Sequence, residues 1–305
     1  MGLFVGDFRF LISAKSLGLG GGAACTIGRQ PLFLSEQTMH RIAAEYDQRL
    51  CSLQRGQAIY LTDQVLRALG FEQVDVLDIS DYEGANLIHD LNVHVSRELE
   101  DRFDLIVDGG TLEHVFNFPV AIENVMRMLR VGGEILLTSP ANNYCGHGFY
   151  QISPELFFRV FSPANGFEIV RIYMQSGGQY YHIIDPVDVH SRVELVSPKM
   201  ALLMVHARKT GRVPEPLKIP QQSDYVTIWE QNSADTQIVK RDGRVKSFVR
   251  ARLSGENVAK ISSLLFQLRL KRDEWLLKKR ARLTNRTLYA PVTKWDMMTR
   301  DAFNR

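Results

Sequence analysis

The chain has 305 residues, enough for one large domain with an extension. Its 45% apolar and 23% charged residues are ordinary for a soluble globular protein, and its net charge of +3 selects no class of partner. No apolar stretch approaches the about 20 residues of a transmembrane helix. The cysteines, Cys25, Cys51 and Cys145, are too scattered for a disulfide framework or a metal site, so we expect a cytoplasmic protein without a metal.

The first hundred residues alternate helical and extended patterns, with helices predicted at 7–17, 35–50 and 61–69 and strands at 23–28, 73–80 and 86–89. The glycines at 18–22 precede a strand, whereas a nucleotide-binding glycine loop follows one, so we interpret them as a connection. Only residues 81–84 are available to join the strands 73–80 and 86–89, fewer than the about ten of a usual parallel crossover. Residues 86–89 are therefore either an abruptly connected strand or an edge piece.

The stretch 103–140 has the clearest pattern. An apolar run at 103–107 predicts a strand buried on both faces, and 120–129 carries a helical apolar stripe. Gly132 and Gly133 are expected to end this helix, because glycine accepts the left-handed conformation of a C-cap. A second strand is predicted at 134–139. The result is a βαβ unit whose chemistry belongs at the carboxyl ends of its strands.

The loop at 141–151 combines glycine with aromatic, amide and imidazole side chains, a composition typical of a binding loop. Ser153 and Pro154 are expected to begin a helix as N-cap and first helical residue. Two more strands are predicted at 169–173 and 200–205. The interval between them, 175–197, is either part of a substrate lid or plain surface.

Three prolines and a lack of periodicity predict a linker at 209–223. The extension 224–305 is expected to be mainly helical, especially at 255–279. Between residues 250 and 286, eleven Lys or Arg stand against three Asp or Glu. This basic helix either contacts an anionic partner or is a solvated helix docked by its leucines. No nucleic-acid-binding motif accompanies it.

Two segments resemble motifs of the class I S-adenosylmethionine-dependent methyltransferases. Leu112-Glu113-His114-Val115 is similar to the segment that follows strand 4 of that family, and Leu129-Arg130-Val131-Gly132-Gly133 is similar to its Leu-Lys-Pro-Gly-Gly turn before strand 5. The resemblance covers about 23–205. It implies a methyltransferase-like α/β domain at 1–208, built as a Rossmann-like doubly wound seven-stranded sheet of order 3-2-1-4-5-7-6, with a helical C-terminal extension.

The resemblance also implies a site for S-adenosylmethionine. Its residues follow strands 1 to 4 and are Gly28, Asp78, Asp90, Leu91, Gly109, Gly110 and Thr111. Asp78 would take the ribose hydroxyls, since an ionised carboxylate offers two acceptor oxygens, and Asp90 would lie on the adenine side. Of the family's Gly-x-Gly-x-Gly loop only Gly28 is present, because Arg29 and Gln30 bring bulk to the following positions.

Methyl transfer can depend on positioning donor and acceptor alone, without a metal. A hydroxyl or amine acceptor would gain from a general base, for which His147 and His114 are the candidates; His114 has a structural alternative as a helix cap or packing residue. Contacts to the acceptor, a small molecule or glycan, are expected from the loop after strand 5. These residues are Asn142, Asn143, Tyr144 and Tyr150.

Two other functions stay open. A non-catalytic methyltransferase-like scaffold or ligand-binding protein would explain the altered glycine loop and the missing helix after strand 2, because function belongs to sites and not to folds. A nicotinamide-dependent oxidoreductase would require a glycine-rich turn after strand 1, which this sequence lacks. Methyl transfer to an unidentified acceptor is the hypothesis that we prefer.

Overall fold

The structure is a computed structural model in which residues 2–16, 21–46, 60–226, 229 and 255–292 are described. Cys51 lies outside these residues. The helices are α1 (Val5–Ser16), α2 (Glu36–Tyr46), α3 (Thr62–Ala68), α4 (Phe118–Met128), α5 (Pro154–Val160) and α6 (Gly255–Arg280). The strands are β1 (Gly22–Ile27), β2 (Pro31–Leu32), β3 (Tyr60–Leu61), β4 (Phe71–Asp78), β5 (Leu87–Ile88), β6 (Phe103–Asp108), β7 (Leu129–Asn142), β8 (Phe167–Ser176), β9 (Gln179–Ile183), β10 (Ala201–Lys209) and β11 (Tyr289–Val292).

Within the described residues, nine strands form one mixed sheet in the order β11-β9-β8-β10-β7-β6-β1-β4-β5. The strands β1, β4, β5, β6 and β7 pair in parallel, whereas β10 is antiparallel to both β7 and β8. The predicted Rossmann-like α/β architecture is confirmed. The predicted seven-stranded sheet is wrong, because β9 and β11 extend the sheet beyond β8. The strand β6 lies in the interior, which explains its mainly apolar sequence.

Helices cover both faces of the sheet, as in a doubly wound fold. One apolar cluster contains Ile122 and Val125 of α4 and Phe157 of α5. The cluster on the other face contains Phe8 of α1 and Leu66 of α3, together with buried residues of α2. Burial of these helical faces against the sheet is the main source of stability for such a layered domain.

Part of the interval 175–197, for which the sequence leaves a lid segment and plain surface open, forms the strand β9. It forms a hairpin with β8, in which Ser176 pairs with Gln179. Gly177 and Gly178 form the two-residue turn, with φ angles of +58° and +78°. Tight hairpin turns require such positive φ angles, so Gly-Gly between two apolar, aromatic runs was a usable sequence signal.

The role predicted for Gly132 and Gly133 is also wrong. The helix α4 ends at Met128, and the chain becomes extended at once, with φ −72° and ψ 139° at Leu129. Both glycines lie inside β7, where the pairing with β6 jumps from Leu129 to Glu134. A Cβ on Gly133 would lie 2.8 Å from the carbonyl oxygen of Phe103. Glycine therefore permits a bulge that brings the two strands close together.

The strand β5 has two residues and lies at the sheet edge, so both interpretations of 86–89, an abrupt connection and an edge piece, hold together. It pairs in parallel with the end of β4, Leu87 beside Leu77. A tight turn replaces the expected crossover helix, and the amide of Gly84 donates to the carbonyl oxygen of Asp81 at 2.7 Å. The amide of His89 donates to the carbonyl oxygen of Asp78 at 2.9 Å. This short connection brings the residues after β5 next to the end of β4.

The chain beyond β10 contacts the sheet domain. Val213 of the predicted linker is buried, and the amide of Lys218 donates to Oδ1 of Asn165 at 2.9 Å. The strand β11 pairs with β9, so part of the extension adds a strand to the sheet. The boundaries 1–208, 209–223 and 224–305 stay a prediction.

The apolar face expected to dock the helix α6 includes Leu268 and Leu276, and the helix does not dock by these two leucines. Leu268 is 54% exposed and Leu276 is 38% exposed. Contact of this basic helix with an anionic partner stays a prediction. No helix in the described ranges is long and apolar enough to cross a membrane.

Candidate functional site

A cavity of about 240 Å³ opens at the carboxyl ends of β1, β4, β5 and β6. This edge is where a doubly wound sheet binds its ligands. Five residues predicted for the site line this cavity: Asp78, Asp90, Leu91, Thr111 and His114. They come from three separate stretches of chain and meet because parallel neighbouring strands end at the same edge.

Asp78 is the last residue of β4 and stands half-buried on the cavity wall. Its Oδ1 accepts a hydrogen bond from the amide of Ile79 at 2.7 Å, which fixes the carboxylate. The side chain of Ile79 also lines the cavity and is 64% exposed. A fixed carboxylate next to an exposed apolar side chain suits a ligand with hydroxyl groups and a flat apolar part.

The loop after β5 carries Asp90 and Leu91. Asp90 accepts two hydrogen bonds at Oδ1 from Asn92, one from its amide at 2.9 Å and one from Nδ2 at 2.8 Å. These bonds hold the pKa of Asp90 below its usual range, so the carboxylate is ionised at neutral pH. Asn92 also accepts from the amide of Asn117 at 2.9 Å. The loop is thereby tied to the start of α4, and Leu91 is held on the cavity wall.

The predicted glycines lie buried behind the cavity and do not line it. A Cβ on Gly28 would lie 2.9 Å from Oγ1 of Thr111. A Cβ on Gly109 would overlap the side chain of Leu3 and lie 2.7 Å from Oε1 of Gln30. Gly110 has a φ of +95° and makes the turn after β6. The three glycines thus permit close packing at the base of the site.

The loop after β1 differs from a nucleotide-binding loop. The chain enters β2, which pairs with β3, and in the described residues no helix follows β1 directly. Gln30 turns back, and its Nε2 donates to the carbonyl oxygen of Ile27 at 2.8 Å. Arg29 reaches across to the turn after β4 and donates to the carbonyl oxygen of Glu83 at 2.9 Å. The site therefore lacks the helix N-terminus that usually binds an anionic group here.

A cluster of Glu113, His114 and His147 stands at the margin of the cavity, and we call it the Glu–His–His cluster. The 3₁₀ turn Leu112–His114 after β6 presents the first two side chains, and the loop after β7 brings the third. Nε2 of His147 lies 3.5 Å from Oε1 of Glu113, and the two imidazole rings are 5.1 Å apart between centroids. The sequence had indicated the histidines as catalytic candidates but missed Glu113 as their partner. The predicted βαβ unit could have indicated this pairing, because β6 and β7 are parallel neighbours and the segments after them meet at the same edge of the sheet.

Glu113 is a buried acid, with 1% of its side chain exposed. Burial raises the pKa of Glu113, and the nearby carboxyl of Asp108 raises it further. Burial also raises the pKa of Asp108, although the amide of Thr111 donates to it at 2.8 Å. The Oε2 atom of Glu113 is buried and has no hydrogen-bond partner among the residues that the structure describes. This arrangement favours a positive charge or a proton next to Glu113.

Polar side chains of the loop after β7 form hydrogen bonds to neighbouring backbone groups and so fix the loop. Nδ2 of Asn143 donates to the carbonyl oxygens of Ser197 at 2.6 Å and Lys199 at 2.9 Å. The hydroxyl of Tyr150 donates to the carbonyl oxygen of Phe116 at 2.6 Å. Of the four residues predicted to contact the acceptor, Asn143 and Tyr150 therefore anchor the loop.

The other two residues predicted to contact the acceptor differ in their surroundings. Asn142 is the last residue of β7 and pairs with Ala201 of β10. Tyr144 is half-buried and lies beside the Glu–His–His cluster, with its ring 5.7 Å from that of His147. Among the predicted acceptor contacts, Tyr144 is thus the one whose ring borders the cluster.

No protein-family model matches this chain, and no curated protein sequence matches it. Solved structures with a similar fold include the 1,6-didemethyltoxoflavin-N1-methyltransferase of Burkholderia thailandensis, which is 14% identical over 67% of this chain and 79% of that chain, with a TM-score of 0.37. The [4+2]-cyclase SpnF is 14% identical over 68% of this chain and 81% of that chain, with a TM-score of 0.36. The branched-chain polyamine synthase of Thermus thermophilus is 13% identical over 71% of this chain and 58% of that chain, with a TM-score of 0.36. TM-scores this low assign none of these activities to the chain.

Proposed function

We propose that this protein transfers the methyl group of S-adenosylmethionine to a small acceptor. The observation that carries the proposal is the assembly of Asp78, Asp90, Leu91 and Thr111 around one cavity, with His114 at its margin. Asp78 at the end of β4 and Asp90 after β5 supply two carboxylates that suit a nucleoside. The Glu–His–His cluster stands beside this cavity, where an acceptor would have to approach.

The residues of the cavity fit the nucleoside part of the cofactor. The carboxylate of Asp78 would bind the ribose hydroxyls, and Asp90 would lie beside the adenine. Ile79 and Leu91 supply apolar surface for the base. When bound, S-adenosylmethionine would supply an electrophilic methyl group on its sulfonium. The chain's own task is to hold this group in line with the acceptor atom.

The fit is incomplete at the amino-acid end of the cofactor. The carboxylate of its methionine part would find no helix N-terminus after β1, because the chain continues into β2. The cavity volume of about 240 Å³ is also below the roughly 300 Å³ at which most ligand pockets begin. We therefore expect weak binding, with a Kd of about 1 μM or higher, which corresponds to about −8 kcal/mol or less favourable.

The acceptor would bind against the loop after β7, next to Tyr144 and the Glu–His–His cluster. A hydroxyl or amine must lose a proton during methylation, and His147 and His114 are the groups proposed to take it. Glu113, 3.5 Å from Nε2 of His147, would orient that imidazole. Among the proposed groups, His147 has the partner that a general base needs.

One observation favours a second candidate, a ligand-binding protein without catalytic activity. The missing anion site after β1 weakens the hold on the methionine part, and this part positions the reactive methyl group. Such a protein would bind the nucleoside through Asp78 and Asp90 yet transfer nothing. Formation of S-adenosylhomocysteine from S-adenosylmethionine in the presence of candidate acceptors separates the two functions.

Calorimetric titration of the full chain with S-adenosylmethionine and S-adenosylhomocysteine tests the proposal. We expect one site for each ligand, with a Kd in the micromolar range or above. A well-folded protein that gives no binding heat at about 1 mM ligand, where even a binding free energy of about −4 kcal/mol would register, contradicts both candidate functions.

A further inference from the structure

We propose that the Glu–His–His cluster binds a divalent first-row transition-metal ion. Glu113, His114 and His147 each offer one ligand atom, and these atoms lie within 4.8 Å of one another. Two imidazole nitrogens and one carboxylate oxygen are a donor set used by zinc and iron(II) enzymes. The sequence predicts no metal, because the two halves of the cluster are separated along the chain and come together only in the fold.

The spacing of the cluster is close to that of a metal site. Bonds of about 2.0–2.2 Å in a tetrahedral arrangement place neighbouring ligand atoms about 3.3–3.5 Å apart. The pair formed by Nε2 of His147 and Oε1 of Glu113 is already at 3.5 Å. The ligand atom of the exposed His114 side chain lies within 4.8 Å of the other two.

A second and independent observation comes from the carboxylate of Glu113. Its Oε2 atom is buried without a hydrogen-bond partner among the described residues, although the side chain is only 1% exposed. A buried, unpartnered carboxylate oxygen is costly unless a proton or a cation compensates it. A divalent ion between Glu113 and the histidines would remove this cost.

The loop that carries His147 is fixed on Glu113 by its backbone. The amide of Phe149 donates to the carbonyl oxygen of Glu113 at 2.9 Å. A Cβ on Gly148 would lie 3.0 Å from Cγ of Glu113, and this glycine has a φ of +69°. Only a residue without a side chain allows the loop to approach so closely. The fold thus holds His147 opposite the acid before any ligand arrives.

The cluster is closed on the protein side and open on the other. Glu113 forms the buried wall, whereas His147 is 37% exposed and His114 is exposed at the margin of the cavity. Three protein ligands leave at least one coordination position for water or a substrate, as in catalytic metal sites. Under the proposed function, an acceptor hydroxyl bound at that position would lie next to the cofactor cavity and would lose its proton more easily, with the metal instead of a free imidazole promoting this loss.

Metal titration of the full chain, stripped with a chelator and dialysed, tests the proposal without any cofactor. We expect one equivalent of Zn²⁺ by calorimetry, one equivalent of Co²⁺ by its visible absorption, and no competition from Mg²⁺, which prefers oxygen ligands. His147→Gln and Glu113→Gln should each weaken Zn²⁺ binding by at least about 10- to 100-fold, the loss that even an outer partner of a metal ligand causes. His94→Gln is the matched control, because His94 is an exposed histidine outside the cluster and should leave the affinity unchanged.

Absence of Zn²⁺ binding to folded wild-type protein overturns the proposal. Equal affinity of the wild type, His147→Gln and Glu113→Gln also overturns it, since the ion would then bind elsewhere. Zn²⁺ should raise the Tm of the wild type and of His94→Gln but not that of His147→Gln, which also shows that each variant is folded. A parallel titration with S-adenosylhomocysteine distinguishes failure of the metal proposal from failure of the proposed function. The protein can bind Zn²⁺ without binding S-adenosylhomocysteine, and it can bind S-adenosylhomocysteine through Asp78 without binding Zn²⁺.

Discussion

The hydroxyl of Thr111 occupies the space that a side chain on Gly28 would need. A Cβ at position 28 would lie 2.9 Å from Oγ1 of Thr111, and the φ of Gly28 is +74°. The same hydroxyl donates to the carbonyl oxygen of Ile27 at 2.8 Å. The end of β1 is thus tied to the loop after β6, and this tie sets the floor of the candidate site.

Gly28→Ala is expected to lower the free energy of unfolding by about 2–4 kcal/mol, the sum of a left-handed conformation for alanine and an overpacked contact. Gly132→Ala is the matched control, because Gly132 has a φ of +88° but nothing within 4 Å of its Cβ position. Gly132→Ala should lower the free energy of unfolding only by the cost of a left-handed conformation for alanine, about 1–2 kcal/mol. Urea unfolding measures both. An equal loss in the two variants would show that the Thr111 contact contributes nothing.

The buried His206 is expected to make stability depend on pH. Burial is the main cause that lowers its pKa to about 4, with further lowering by the charge of Arg171, while Nε2 hydrogen-bonds to Glu134 at 2.7 Å. In the unfolded chain histidine titrates near about 6.5. Between these two pKa values only the unfolded state takes up the proton. The contribution of His206 to the free energy of unfolding is therefore complete above about pH 6.5. It is lost as the pH falls towards 4, by up to about 1.4 kcal/mol per pH unit.

The difference between the wild type and His206→Gln isolates this effect, because the raised pKa values of Asp108 and Glu113 act in the opposite direction in both proteins. Urea unfolding at pH 7, 6 and 5 (spanning the histidine pKa of about 6.5) should show that the slope of the unfolding free energy against pH is less positive, or more negative, in the variant than in the wild type, by up to about one proton. His94→Gln should keep the wild-type slope. Parallel slopes in the wild type and His206→Gln would mean that His206 does not titrate as its burial requires.

The parts of the fold that follow from local pattern were predictable from the sequence. The strand β6, the helix α4 and the N-cap of Ser153 were read from apolar spacing and capping residues, and Oγ of Ser153 indeed accepts from the amide of Glu155. The resemblance to methyltransferase motifs predicted Asp78 and Asp90 as site residues, and both line the cavity. These predictions needed no knowledge of distant contacts.

The remaining features depend on contacts between distant segments. Gly109 is covered by Leu3, which lies far away in the chain, so its distance from the cavity could not be read from the motif around it. The strand β11 joins the sheet by pairing with β9 across about a hundred residues. The partnership of Glu113 with His147 likewise arises from the adjacency of β6 and β7.

Asp78→Ala is expected to weaken the binding of S-adenosylhomocysteine about ten- to a hundredfold, because a charge-assisted hydrogen bond to the ribose, about 1.5–3 kcal/mol, is lost. Asp81→Ala is the matched control, since Asp81 is an exposed acid in the turn after β4 and does not line the cavity. Calorimetry of both variants measures the change. Equal affinities in Asp78→Ala and the wild type would move the ligand away from the end of β4.

His147→Ala is expected to lower the rate of methyl transfer by about 10²-fold while the Kd for S-adenosylhomocysteine changes by less than about twofold, because the imidazole acts on the acceptor. Release of S-adenosylhomocysteine with a panel of hydroxyl and amine acceptors measures the rate. Cys145→Ser changes an exposed residue of the same loop and should retain activity. Full activity of His147→Ala would reduce the loop to a structural role.

A crystal structure of the full chain with S-adenosylhomocysteine would show where the ligand binds. We expect electron density for the nucleoside in the cavity at the ends of β1, β4, β5 and β6, with the ribose hydroxyls on Asp78 and the base against Leu91. Density for the ligand at any other surface, or an empty cavity in crystals grown at saturating ligand, would contradict this expectation.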